Sequence, residues 1–404
     1  MPIKQFFQNK LFLVLTFIFI FLAGWQVGYA GFQVNLRANP PGITVENKTP
    51  SSSTIDFSLL WDTIARINKE YLFRPVDGKK LLYGAVSGLV GALDDPYTSF
   101  LDPEQNKQFD SSLEGVYEGI GAEIGIRNDQ LMIVAPLDGS PAKAVGVRAG
   151  DQILEIDGVS TVGISIVEAV SKIRGPAGAK VVLTLRRGDQ SAFKTTIVRD
   201  RIQVKSVSWE EKDGGVFYLK VSRFGNGTNG EWDEAIRSIK SAGGIKGVVL
   251  DLRSNPGGYL AGAVYLASEF LEDGAVVIQE DSGGGRRTLS VQSTKNDRGL
   301  LGVSVAVLID GGSASASEIL AGVLQERAGA KLVGKKSFGK GTVQDAVDFK
   351  DGSGLHLTVA KWLTPSGRWV HEKGLEPDFE VELTEDDLDN NRDPQIDKAL
   401  ELLR

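Results

Sequence analysis

The chain contains no cysteine, and only two of its 404 residues are histidine. The first absence excludes disulfides, thiol nucleophiles and thiolate metal sites. The second leaves only His356 and His371 for imidazole chemistry. His356 alternates with Leu355 and Leu357 as in a strand, and His371 lies in a turn, so both read as structural or surface residues. No metal or other cofactor is expected. A basic cluster is also missing: the net charge is -7 with the signs interspersed. That excludes bulk nucleic-acid binding, which needs a concentrated basic face. What is left is the composition of an ordinary globular protein, long enough for two or three domains.

One long apolar run is present. Lys4 and Lys10 precede the uncharged stretch Leu11 to Ala30, which includes Phe17-Ile18-Phe19-Ile20-Phe21-Leu22. About 20 such residues span a bilayer as a helix, and upstream lysines hold the N-terminus on the cytoplasmic side. Residues 1–31 are therefore expected to be a transmembrane signal-anchor. The other reading is a cleaved signal peptide ending at Gly28-Tyr29-Ala30. Both place the remaining chain outside the cytoplasm.

Composition and periodicity divide the rest. Residues 32–54, with Asn39-Pro40-Pro41-Gly42 and Thr49-Pro50-Ser51-Ser52-Ser53, read as a polar, flexible tether. Residues 55–112 carry helical spacing at Leu60, Ile64, Ile67, Leu81, Leu82, Ala85 and Leu89. Residues 113–198 change to short strands between glycine turns, among them Gly119-Ile120-Gly121-Ala122-Glu123-Ile124 and Gly150-Asp151-Gln152-Ile153-Leu154-Glu155-Ile156-Asp157-Gly158. Residues 199–381 alternate apolar strands with amphipathic helices, an α/β layer pattern. Residues 382–404 form a charged tail with a short terminal helix.

The chemistry concentrates in the α/β part. Ser315 lies in Gly311-Gly312-Ser313-Ala314-Ser315-Ala316-Ser317-Glu318, between a strand and a helix start. Free N–H groups and positive potential there suit a developing oxyanion. Serine is equally a favoured helix cap, so the local motif admits both roles. Lys340, in Phe338-Gly339-Lys340-Gly341-Thr342-Val343-Gln344, supplies an amine that burial can bring into the range of a general base. If a strand begins at Gly341, then Lys340, Thr342 and Gln344 share one side, and Gln344 can hold the amine without adding charge. An oxyanion hole needs two donors. Ala316, directly after the serine, offers one, and the turn Asn255-Pro256-Gly257-Gly258 offers the other through Gly257 or Gly258.

In this order the motifs resemble the C-terminal processing peptidases, or tail-specific proteases. They run from Asp95-Pro96-Tyr97-Thr98, through the glycine-rich module, to Asp251-Leu252-Arg253-Ser254-Asn255-Pro256-Gly257-Gly258, Gly311 to Glu318, Phe338 to Gln344 and Leu363-Thr364-Pro365-Ser366-Gly367-Arg368. The resemblance implies a ClpP/crotonase-like α/β protease core with an inserted β-rich PDZ domain at 113–198. It implies Ser315 as nucleophile, Lys340 as base and Gln344 as the residue orienting it. It implies capture of free C-terminal tails of protein substrates by Gly119, Ile120, Gly121 and Ala122, and a gating role for Arg174. The implied location is the bacterial cell membrane, single-pass, with the catalytic part extracytoplasmic; a homo-oligomer or regulatory partner fits the pattern. Two other functions share parts of it: a catalytically silent PDZ adaptor and a crotonase-like acyl-transfer enzyme.

Overall fold

The computed structural model describes residues 14–25, 32–38, 41–47, 57–127, 130–137, 139–384, 386–387, 390 and 392–404. Two compact units, 1–82 and 83–404, divide it. In the first, residues 14–25 are helical. Among the described residues no helix is long and apolar enough to cross a membrane, and the rest of the expected span, 11–13 and 26–30, lies outside the described residues. The tether expected over 32–54 is corrected in part. Phe32–Ala38 and Pro41–Asn47 pair antiparallel, with Val34 opposite Val45 and Leu36 opposite Ile43. The reason is legible afterwards, since Phe32, Val34, Leu36, Ile43 and Val45 recur at the two-residue period of a strand. The helix Ser58–Glu70 follows, and Gly78–Gly91 carries the chain into the second unit.

The second unit is built on a six-stranded sheet. Its order is Val207–Lys212, Val216–Val221, Gly247–Asp251, Ser304–Ile309, Lys331–Gly334, Phe379–Glu380. Only the first pair is antiparallel. Gly247–Asp251 is buried throughout because both faces are covered, as expected for a short apolar run in a parallel sheet. Val248 and Leu250 face a core shared with Trp232, Ile236, Ile319 and Leu320 of two helices. Val249 faces the opposite side, packed with Ala306, Leu308 and Ala399 of the terminal helix Pro394–Leu402. An antiparallel sheet lies alongside, ordered Arg286–Ser290, Ala275–Asp281, Gly354–Leu363, Thr342–Asp348. Ser99–Leu101 adds to Gly354–Leu363, with His356 opposite Ser99.

The module expected at 113–198 is a second antiparallel sheet, ordered Phe193–Val198, Lys180–Arg186, Gln152–Ile156, Gln130–Pro136, Ala122–Arg127. Val181, Leu183 and Leu185 point inward at alternate positions onto Ile133, Ile153, Ala169 and Ile173. The chain enters and leaves through one ribbon, Val116–Gly119 paired with Asp200–Gln203. Asp151, fully buried, accepts hydrogen bonds from Arg187 Nε at 2.7 Å, Arg187 Nη2 at 2.8 Å and the Arg148 N–H at 2.8 Å. Burial pushes its carboxyl up, but Arg187 and the N–H donor outweigh that and hold it below the ordinary value. The stabilisation is therefore present at neutral pH and lost as pH falls through the depressed value. Asp151→Asn is expected to destabilise this module by about 1–3 kcal/mol, the cost of leaving a donor without its acceptor at this site. Hydrogen exchange should localise the loss to 119–198, and the acid limb of module stability should flatten.

Candidate active site

Two neighbouring parallel strands, Gly247–Asp251 and Ser304–Ile309, end at the same edge of the sheet and deliver two loops there. Open α/β sheets bind ligands at such strand ends. The second loop ends at Ser315, directly before the helix Ala316–Arg327. Ser315 has φ 55° and ψ -114°, a left-handed backbone that costs a non-glycine residue about 1–3 kcal/mol. Asn255 holds this turn. Its carbonyl accepts from the Ala314 N–H at 3.0 Å and from Ser317 Oγ at 2.9 Å. Asn255 Nδ2 donates to the Val221 carbonyl at 2.8 Å, and the residue is fully buried.

The glycine pair divides its work. Gly257 has φ 100°, and a Cβ placed on it would lie 2.9 Å from Ser315 Cβ and 3.0 Å from the Ala316 nitrogen. Only glycine lets the loop close on the serine turn. The Gly257 N–H is spent on Asn255 Oδ1 at 2.9 Å. Among the described residues the N–H groups of Gly258 and Ala316 have no protein acceptor.

Lys340 reaches the site from the other sheet. The glycines beside it serve close backbone contacts. A Cβ on Gly341 would lie 2.7 Å from the His371 nitrogen, and one on Gly339 2.9 Å from the Gly374 nitrogen. The Lys340 carbonyl accepts from Trp362 Nε1 at 2.8 Å, and Gly341 from Trp369 Nε1 at 2.8 Å. Burial pushes the Lys340 amine below its ordinary value, with the Asp95 carboxylate opposing. Its Nζ lies 5.1 Å from the centre of the Tyr97 ring. Among the described residues it makes no hydrogen bond to Ser315 or to Gln344. Gln344 lies in the strand Thr342–Asp348, and its Nε2 donates to Thr342 Oγ1 at 3.0 Å and Thr358 Oγ1 at 3.1 Å. The expected shared side of Thr342 and Gln344 is present; the expected bond to the amine is not.

Glu318 joins the serine and lysine segments. Fully buried, its Oε2 accepts from the Ser315 N–H at 2.8 Å and the Lys340 N–H at 2.9 Å. Its Oε1 accepts from Ser337 Oγ at 2.6 Å and the Gly339 N–H at 2.7 Å. One carboxylate thus fixes both backbones, favoured also by its place in the first turn of a helix. Sequence reasoning reads Glu318 only as a helix opener and gives Asn255 no role. Their burial between distant segments has no signal in a single sequence.

The glycine-rich module presents its own site. Ala122–Arg127 is the edge strand of the sheet. Directly before it, the N–H groups of Ile120 and Gly121 have no acceptor among the described residues, while the Ile120 carbonyl accepts from the Ala142 N–H at 2.9 Å. Arg174 ends the helix Ile166–Ile173, with Cζ 4.7 Å from the Tyr117 ring centre.

Comparison with known proteins matches these parts in the same order. Residues 215–381 match peptidase family S41, 132–187 match a PDZ domain, and 21–105 match the N-terminal domain of the activating protease CtpB. The carboxy-terminal processing protease CtpA of Bacillus subtilis (strain 168) is 38% identical over 336 residues, covering 83% of this chain and 71% of that protein. The chain belongs to peptidase family S41. A CtpA-like serine protease of Staphylococcus aureus (strain COL) is 40% identical over 318 residues, 78% of this chain and 63% of that protein. An S41-type protein of Bacteroides fragilis NCTC 9343 shares the fold at a TM-score of 0.57 and 17% identity, covering 88% of this chain and 92% of its own. The peptidase is therefore of the serine type, and the sheet described above contains its PDZ domain at 132–187.

Proposed function

We propose that the peptidase is a membrane-tethered endopeptidase that acts outside the cytoplasm on free C-terminal protein tails. The carrying observation is the Glu318 carboxylate, which binds the Ser315 and Lys340 backbones to one another beside the unpaired N–H groups of Gly258 and Ala316. In this reading neutral Lys340 takes the Ser315 Oγ proton as the oxygen attacks the scissile carbonyl carbon. Gly258 and Ala316 donate to the oxyanion. Lys340 then gives the proton to the departing amine, leaving an ester on Ser315. Lys340 next activates the water that hydrolyses this ester. Gln344, whose Nε2 is engaged by two threonines, has Oε1 left to accept from the amine and orient it.

Substrate tails add as a strand to the edge at Ala122–Arg127, with Gly119, Ile120, Gly121 and Ala122 forming the carboxylate loop. Arg174, beside that loop, gates the response. The apolar run after Lys4 and Lys10 supplies the anchor and sets the topology, with the catalytic part on the extracytoplasmic side of a bacterial membrane.

The test is turnover of an unstructured fluorogenic peptide with a free apolar C-terminus by the full-length chain in detergent. Amidating that terminus should cost about tenfold in kcat/KM, the loss of one charge-assisted interaction, and Ser315→Ala should be silent. Peptide that binds without being cut would instead make the protein an adaptor.

A further inference from the structure

The Asp95-Pro96-Tyr97-Thr98 segment is distant in sequence from Ser315, Lys340 and Gln344, yet it reaches the lysine. It is sewn to the sheet edge by specific bonds. Asp95 Oδ1 accepts from the Tyr97 N–H at 3.0 Å, and Asp95 Oδ2 from Thr98 Oγ1 at 2.6 Å. Thr98 Oγ1 in turn accepts from the Thr358 N–H at 3.0 Å, and Thr358 also receives the Gln344 amide. Tyr97 is therefore fixed at the point where Lys340 enters the site. Its ring meets the edge of His371 at 5.9 Å, and His371 stacks on Trp369 at 4.9 Å. The Lys340 amine rests on this aromatic wall, 5.1 Å from the Tyr97 ring centre.

We infer that Tyr97 is a positioning residue for Lys340, its ring face holding the protonated amine in the resting site until deprotonation releases it toward Ser315. A π face attracts an ammonium and has no comparable hold on a neutral amine. The same contact therefore sets both where the amine sits and how readily it loses its proton. The inference rests on the proposed role of Lys340 as base.

Among the described residues, charged and titratable groups surround the amine and its aromatic wall, Lys361 among them, with Nζ 5.5 Å from the Trp369 ring centre. Asp95 favours the ammonium, and His356 also senses the lysine charge. Glu318 binds the Lys340 N–H, and Glu318, Asp95 and Glu372 act on Tyr97. His371 completes the wall. Burial opposes the ammonium and outweighs Asp95. With the ring removed and an apolar cover kept, the ammonium loses an attraction and the Lys340 midpoint falls.

The experiment is competitive acetylation of the full-length chain across pH, with Lys340 labelling read by peptide mass spectrometry, beside the pH profile of kcat/KM. Tyr97→Met is expected to lower the Lys340 labelling midpoint by about half a unit to one unit. The basic-form limb of kcat/KM should move with it, and Tyr97→Phe, which keeps the ring, should restore the wild-type midpoint. Tyr97→Leu serves in its place if circular dichroism shows that the methionine variant does not fold. An unmoved labelling midpoint in a folded ring-less variant overturns the inference, as does a phenylalanine variant that behaves like methionine. A labelling midpoint that falls while the kcat/KM profile stays fixed supports the positioning role and overturns Lys340 as the base.

Discussion

Lys340→Ala is expected to lower kcat/KM by about 10⁴-fold with the fold intact, and Lys340→Arg should not restore it. A positioned general base contributes about 10²–10⁴-fold, and in the proposed mechanism the same amine serves both acylation and deacylation. Neither histidine among the described residues can replace it. Among the described residues the two histidines are committed to packing, His371 against Trp369 and His356 against Phe109. Arginine fails for a separate reason: its guanidinium stays charged and cannot accept the serine proton. Burial pushes the lysine amine below its ordinary value, with the Asp95 carboxylate opposing. Single-turnover assays with an ester substrate separate the two steps, and both should be lost. A folded Lys340→Ala variant within tenfold of wild type would remove the lysine from the mechanism.

Glu318→Gln is expected to lower kcat by about 10²-fold and to leave KM within a few-fold. The carboxylate faces four donors: the N–H groups of Ser315, Gly339 and Lys340 and the Ser337 hydroxyl. An amide has one accepting oxygen, so its NH₂ faces backbone donors in either orientation. Turned toward Ser337, the NH₂ can be accepted by the rotated hydroxyl but still confronts the Gly339 N–H. Turned the other way, it confronts both Ser315 and Lys340. Each buried donor left without an acceptor costs about 1–3 kcal/mol, and the two segments relax apart. A misplacement of about 1 Å in reacting groups costs roughly 10²-fold. Steady-state kinetics on the same peptide check this, and a kcat within threefold of wild type would show that other contacts set the serine–lysine geometry.

Much of the α/β core was legible because its signals are local. The apolar run Gly247-Val248-Val249-Leu250 is short enough to read as a buried strand, and the structure buries it throughout. The hairpin Phe32–Ala38 with Pro41–Asn47 was not, because prolines and serines masked a two-residue alternation. Strands such as Lys331–Gly334 and Phe379–Glu380 have too few residues for periodicity to register, and pairing with a formed sheet defines them.

The sequence by itself determined which chemistries are available: no thiol, two histidines in packing contexts, a serine at a helix start and a lysine between glycines. It also set the order of the modules, since each is announced by its own periodicity and turns. The tertiary structure alone decided how those residues meet. It committed the Gly257 N–H to Asn255 and, among the described residues, left that of Gly258 without an acceptor. It also buried one carboxylate between Ser315 and Lys340 and set the lysine amine on Tyr97. These are contacts between segments many residues apart, governed by how sheets and loops pack, and no local pattern encodes such distances.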